Sequence, residues 1–156
     1  MSASNRRDLL LAQLSELLWI ERTLFAAVLP AVHDDAQAPA LQEALTAHRA
    51  ETRVHCVRLE EAIRACGAEP AAARSATLAA MAAQHEAEAK EIPNRTLRDV
   101  FHCAGVARSE QLELAAYDAA IRLADRPCAR LLRENREEDA RALQHIEKLA
   151  AALLRR

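Results

Sequence analysis

Residues 48–55 read HRAETRVH. His48, Glu51 and His55 are three and four residues apart, the spacing that puts side chains on one side of a helix. Advancing 100° per residue places them in one stripe with Leu41, Leu45, Thr52, Leu59 and Ile63. The polar groups therefore interrupt an apolar face at mid-helix, where burial is greatest. Imidazoles and a carboxylate in such a place can hold a metal cation, share protons, or pair with arginine.

Three other segments repeat the pattern. Glu21 lies at the centre of a face made by Leu14, Leu17, Leu18, Leu24, Phe25 and Val28. Asp139 lies at the centre of one made by Leu132, Leu143, Ile146 and Leu153. Glu113 shares a face with Val106, Tyr117, Ala120 and Ala124, with Glu110 at its edge.

The elements that must position these groups are helices. Aromatic residues make up only 3% of the chain and there are two glycines, so strands and hairpin turns have little support, and the fold class is all-α. The first helix is expected from Asp8 to His33 and the second from Pro39 to Cys66, stopped by Gly67. A shorter helix follows from Ser75 to Glu91, a third long one from Thr96 to Ala124, and a fourth from Pro127 or Cys128 nearly to the C-terminus. Two long hairpins joined by a helical crossover are the wiring of a ferritin-like four-helix bundle, here a single domain over residues 1–156. Glu21 and Glu51 are nearly equidistant from the first turn, as are Glu113 and Asp139 from the second. At about 1.5 Å of rise per residue, each hairpin brings its two carboxylates level.

Four carboxylates in a dry core cost several kcal/mol each as bare ions, and their repulsion adds to that. Hard oxygen ligands with one or two imidazoles on facing helices suit one or two ions of iron or manganese. Glu51 with His55 is the carboxylate–histidine pair of that arrangement, and His48 is a further ligand or an outer partner. Tyr117, one turn beyond Glu113, is placed to donate a hydrogen bond to a ligating carboxylate. Helix four offers Asp139, but Leu143 stands where a second ligand would follow. The competing reading is structural: a stripe carboxylate can be a buried ion pair, and Arg136 flanks Asp139. His85 and His102 read as satisfied core histidines. Glu43, Glu60, Glu61 and Glu137 read as solvated surface charges, as does Glu138, which borders the stripe.

The 21 basic and 23 acidic residues are intermixed, without the basic patch or stacking platform that nucleic acid requires. The N-terminal region has no apolar run long enough for a membrane span and no cleavable signal pattern. Cys56, Cys66, Cys103 and Cys128 form no C-x-x-C motif and read as reduced thiols of a cytoplasmic protein.

The stretches LLWIERTLFAAVLPAV, LQEALTAHRAETRVHCVRLEEAI, SEQLELAAY and LLRENREEDARAL, with the crossover TLAAM…IPNRTLRDV, resemble the YciF/YciE-like family of ferritin-like bacterial stress proteins over most of the chain. The resemblance implies a dimeric four-helix bundle with a two-metal site. Carried over by position, that site uses Glu21, Glu51, Glu113 and the pair Glu138–Asp139, with His55 where relatives carry His or Gln. The chain departs from the family pattern at Gln111, Asp139 and Leu143, where relatives usually have His, Glu and Asp. Two functions follow as expectations. One is metal-dependent chemistry on a small oxidant such as O2 or peroxide in stress protection. The other is a non-enzymatic homodimeric interaction module with a degenerate site. Trp19, on the side of its helix away from Glu21, is the expected interface residue for the second.

Overall fold

A computed structural model describes residues 3–155; Met1, Ser2 and Arg156 lie outside the described residues. All of its regular structure is helical: α1 (Arg6–Thr23), a π-helical segment (Leu24–Val28), α2 (Leu29–Asp35), α3 (Pro39–Ala65), α4 (Ala76–Lys90), α5 (Arg95–Leu123) and α6 (Arg126–Leu153). Side chains set the starts. Asn5, Ser75, Asn94 and Asp125 each accept a hydrogen bond from the backbone N–H three residues on, satisfying donors that the first turn leaves free. Gly67, at φ 73°, ends α3 with paired bonds from Gly67 N–H to Arg64 and from Ala68 N–H to Ile63, a Schellman stop. The turn between α2 and α3 is held from α5, where Asp99 accepts from the N–H groups of Gln37 and Ala38 at 3.0 and 2.8 Å.

The expected single first helix is instead interrupted. Pro30 has no N–H to offer the preceding turn, and the helix widens before it: the Leu29 N–H bonds back five residues to Leu24. The Phe25 carbonyl then finds its partner in another helix, accepting from Arg49 Nε at 2.9 Å, with that guanidinium 4.8 Å above the Phe25 ring. The extra residue also turns the register. Leu24 and Leu29 face the core, whereas Phe25 and Val28, expected inside, are only partly buried.

Helices α1, α3, α5 and α6 enclose a shared core, α1 packing on α3 and α5 while α6 packs on α5 and α3. That core has two apolar ends. One is built on Leu10, Leu14, Leu17, Leu59, Ile63, Ala120 and Leu132. The other is built on Leu24, Leu29, Leu41, Leu45, Val106 and Ile146, and it includes Leu78 of the crossover helix α4. Between them lies a polar layer of buried side chains from all four long helices. Helix α4 docks on α5 through His85, whose ring stacks on Phe101 with centroids 4.6 Å apart. Gly105 makes room for that ring, since a Cβ there would come within 2.4 Å of it.

Candidate metal centre

The polar layer is supplied by Glu21 on α1, His48, Thr52 and His55 on α3, Glu110 and Glu113 on α5, and Asn135 and Asp139 on α6, all of them buried. Their ligand atoms converge in two trios that share Asp139. Glu21, His55 and Asp139 form one; His48, Glu110 and Asp139 form the other. His55 Nδ1 is 3.2 Å from Glu21 Oε1 and 3.3 Å from Asp139 Oδ1, and His48 Nε2 is 2.7 Å from Glu110 Oε1. Close as they are, these atoms are not aligned as hydrogen bonds. Glu21 Oε2, His48 Nε2, His55 Nδ1 and both carboxylate oxygens of Glu110, Glu113 and Asp139 have no hydrogen-bond partner. Buried polar atoms are rarely left so. Carboxylate oxygens and imidazole nitrogens crowded into a common space are a donor set that suits a cation.

The outer contacts are well made by contrast, and they fix the inner groups. Glu138 Oε2 accepts from His55 Nε2 at 2.9 Å and from Arg58 at 2.7 Å. With Nε2 given to Glu138, His55 turns Nδ1 toward Glu21 and Asp139; a cation there would take the place of the Nδ1 proton, the arrangement of a metal-ligating histidine. Tyr117 donates to Glu21 Oε1 and accepts from Asn135 Nδ2 at 2.9 Å; Asn135 in turn donates to the His55 carbonyl at 3.2 Å and accepts from Arg58 at 3.0 Å. A single chain of hydrogen bonds thus runs from Arg58 on α3 to the Glu21 carboxylate on α1.

Protonation is displaced as the crowding requires. Burial raises the Glu113 carboxyl well above the usual range, and Glu21, Asp139 and Glu110 raise it further. Asp139 is raised well above its ordinary value, first by burial and then by Glu21 and Glu110, against the opposing His55 and His48. Burial alone would depress both imidazoles, but the neighbouring carboxylates outweigh it: Glu21 and Asp139 bring His55 to about 9, and Glu110 holds His48 well above normal. Burial pulls Glu138 upward, yet its contacts with Arg58 and His55 leave it below the ordinary value.

The structure thus gathers Glu21, His55, Glu113 and Asp139, as their positions in the sequence anticipate. Glu110, expected at an edge, is fully buried and faces His48. Glu51 is not in the layer: its side chain is 45% exposed and reaches only to within 4.0 Å of His48 Nδ1. The inner line of α3 runs through 48, 52 and 55, which turns 51 onto the shoulder of the helix. There it lines an open cleft of about 420 Å³ between α3 and α6, with Ala44, Ala47, His145 and Arg141, that reaches in to His48. Glu138 sits outside the layer with its carboxylate given to Arg58 and His55. Trp19 is half-buried against the apolar end that contains Leu78. Arg136 pairs with Asp118 on α5, leaving Asp139 without an arginine partner. His85 and His102 lie away from the layer, bonded to one another at 2.9 Å, with His102 also bonded to Asp35 at 2.9 Å. The sequence reading missed Arg58 and Asn135. Asn135 carried a signal, a polar residue in the stripe of Leu132 and Asp139; Arg58 carried none.

The family model described as a domain of unknown function, DUF892, matches residues 5–156. No curated protein matches the chain. Among solved structures, the E. coli stress protein YciF superposes with a TM-score of 0.91 at 21% identity, over 99% of both chains. YcfI of Rhodopseudomonas palustris, titled a putative structural protein, superposes with a TM-score of 0.89 at 24% identity, over 92% of this chain and 94% of its own. At these identities the two likenesses establish the fold. Among the described residues, no helix is long and apolar enough to cross a membrane.

Proposed function

The chain belongs to the DUF892 family, and from that premise we propose that it is a ferritin-like protein holding one or two iron or manganese ions in the polar layer and serving in oxidative or general stress protection. The observation that carries the reading is the set of buried, unpartnered carboxylate and imidazole atoms at mid-bundle. Glu21, His55 and Asp139 would hold one ion, and Asp139 with His48 and Glu110 a second position; Glu113, three residues beyond Glu110 on α5 and crowded by Glu21 and Asp139, would be a further ligand. All-oxygen and imidazole donors without thiolate favour iron or manganese over softer ions. A bound ion of this kind supplies Lewis-acid and redox chemistry toward a small oxidant such as O2 or peroxide.

The protein's own contribution is positioning and shielding. Tyr117 and Asn135 orient Glu21, and the Arg58–Glu138 pair sets the tautomer of His55. The two apolar ends keep water from above and below, while the cleft between α3 and α6 admits small species toward His48. Glu51, at the mouth of that cleft, is held below the usual carboxylate value chiefly by its contact with His48, so it stays charged. The stress role follows the printed description of YciF as a stress protein. The test is metal analysis of protein purified without chelator. Bound iron or manganese of about one equivalent or more is expected, at purification or after adding Fe(II) or Mn(II). Less than about 0.2 equivalents under both conditions refutes the reading.

A second reading, a homodimeric interaction module with a degenerate site, rests on Leu143, which packs with the apolar end instead of offering a ligand, and on Val54 and Val57, both exposed on α3. It expects a concentration-dependent dimer in sedimentation and no effect of metal on the melting temperature. A monomer at all concentrations removes it.

A further inference from the structure

On α3, Ala40, Ala44, Ala47 and Glu51 follow one another at intervals of four, three and four residues, so they form one stripe along the helix. Alanine is too short to fill the space between packed helices, and the open cleft of about 420 Å³ runs between this stripe and Arg141, Ala142 and His145 of α6. It ends on the polar layer. Of the eight residues of that layer, seven are 0% exposed; His48 alone keeps 6%, and it lines the cleft. Its imidazole stands between two carboxylates. Nε2 is 2.7 Å from Glu110 Oε1 inside the layer, and Nδ1 is 4.0 Å from Oε2 of the half-exposed Glu51. Neither ring nitrogen has a hydrogen-bond partner, so no such bond must break for the ring to turn. A larger cavity, about 650 Å³ between α2, α4 and α5, touches no residue of the layer.

We propose that this cleft is the route by which divalent cations enter the layer, with Glu51 capturing the ion from solvent and His48 passing it to Glu110. The inference rests on the metal reading and adds the way in. A bare charge in a dry core is strongly penalised, so an ion leaving water needs a ligand at each stage of its path. Glu51, His48 and Glu110 supply oxygen, nitrogen and oxygen in that order, donors that suit Mn(II) and Fe(II). Glu51 is paired with no arginine or lysine among the described residues, and it lines the cleft. Glu43 adds a second carboxylate to the walls, against the single guanidinium of Arg141. A cleft whose walls carry an excess of one charge concentrates counter-ions and speeds their arrival. The alanines keep the path open, and a larger side chain there narrows it.

The experiment mixes metal-free full-length protein with Mn(II) by stopped flow, follows uptake with a fluorescent Mn(II) indicator, and measures the metal bound at the end. Glu51→Gln keeps the shape of the side chain and removes its charge; uptake is expected to be about tenfold slower, with the final stoichiometry unchanged. Added salt should slow the wild type more than this variant, because it screens an attraction the variant lacks. Arg141→Gln should load faster than the wild type, the opposite sign from the same cleft. Ala47→Leu narrows the path without altering charge, and should load more slowly with the salt dependence of the wild type. Wild-type protein that takes up no Mn(II) refutes the metal reading, and this inference with it. If the wild type loads and Glu51→Gln loads equally fast, whether to the same level or to the lower level that loss of a ligand would give, the route alone is overturned. An Ala47→Leu protein that loads at the wild-type rate overturns it too.

Discussion

Replacing Glu113 by leucine removes one of the carboxyls of the polar layer that lack a hydrogen-bond partner. The side chain is fully buried, neither oxygen has a hydrogen-bond partner, and Glu21, Asp139 and Glu110 crowd it. Leaving a buried polar group unpaired costs about 1–3 kcal/mol, and leucine fills a similar volume while adding apolar contact with the two core ends. The metal-free Glu113→Leu protein should therefore gain about 2 kcal/mol. A domain of this size shifts by about 2–4 °C per kcal/mol, so its melting temperature should rise by about 4–8 °C. Metal should reverse the order. At a free Mn(II) concentration about a hundredfold above Kd, the wild type gains about 2.7 kcal/mol, or about 5–11 °C, and a variant lacking a ligand gains little. The assay is differential scanning fluorimetry of both proteins, with chelator and with Mn(II) or Fe(II). If Glu113→Leu melts below the wild type in chelator and metal moves neither protein, the carboxyl layer is a structural network and the reasoning fails.

Tyr117→Phe deletes the hydroxyl between Asn135 and Glu21, and should cost about 1–3 kcal/mol in urea unfolding because both partners stay buried. An unchanged midpoint would show that the hydrogen-bond chain carries no stability. Arg58→Ala leaves every proposed ligand in place but frees Glu138 from holding His55; calorimetric titration with Mn(II) should show affinity about 10–100-fold weaker. Gly105→Ala should lose about 1–3 kcal/mol, since its Cβ meets a His85 ring already held by Phe101 and His102. Adding His85→Ala should recover part of that loss, and additive losses would refute the contact. Burial, with His102 and Arg108, lowers His85 to about 4, so the unfolded chain binds its proton more readily. The contribution of neutral His85 to stability is therefore complete above about pH 6.5 and lost as pH falls toward 4; urea midpoints of His85→Phe should be flatter across that window than those of the wild type.

The sequence by itself determined the helices and the depth of the polar layer. Helix boundaries depend on local chemistry, the caps at Asn94 and Asp125 and the stop at Gly67, and these are legible one turn at a time. A 3.6-residue period also places Glu21, Glu113 and Asp139 on apolar faces without knowledge of any neighbour. Tertiary structure decided what the same period leaves ambiguous. A shoulder position is resolved only by the helix beside it, which is how Glu51 came to line a cleft while Glu110 was enclosed. The widened turn at Leu24–Val28 depends on a carbonyl satisfied by Arg49 from a different helix, and it moved Phe25 and Val28 off the inner face. Partner choice is likewise non-local: Arg136 went to Asp118 and Arg58 to Glu138, which left Asp139 unpaired. Long side chains can reach several groups with nearly equal energy, so only the packed neighbours select among them. HRAETRVH announced a polar interruption in a core helix; the surrounding helices made His48 and His55 its inner residues.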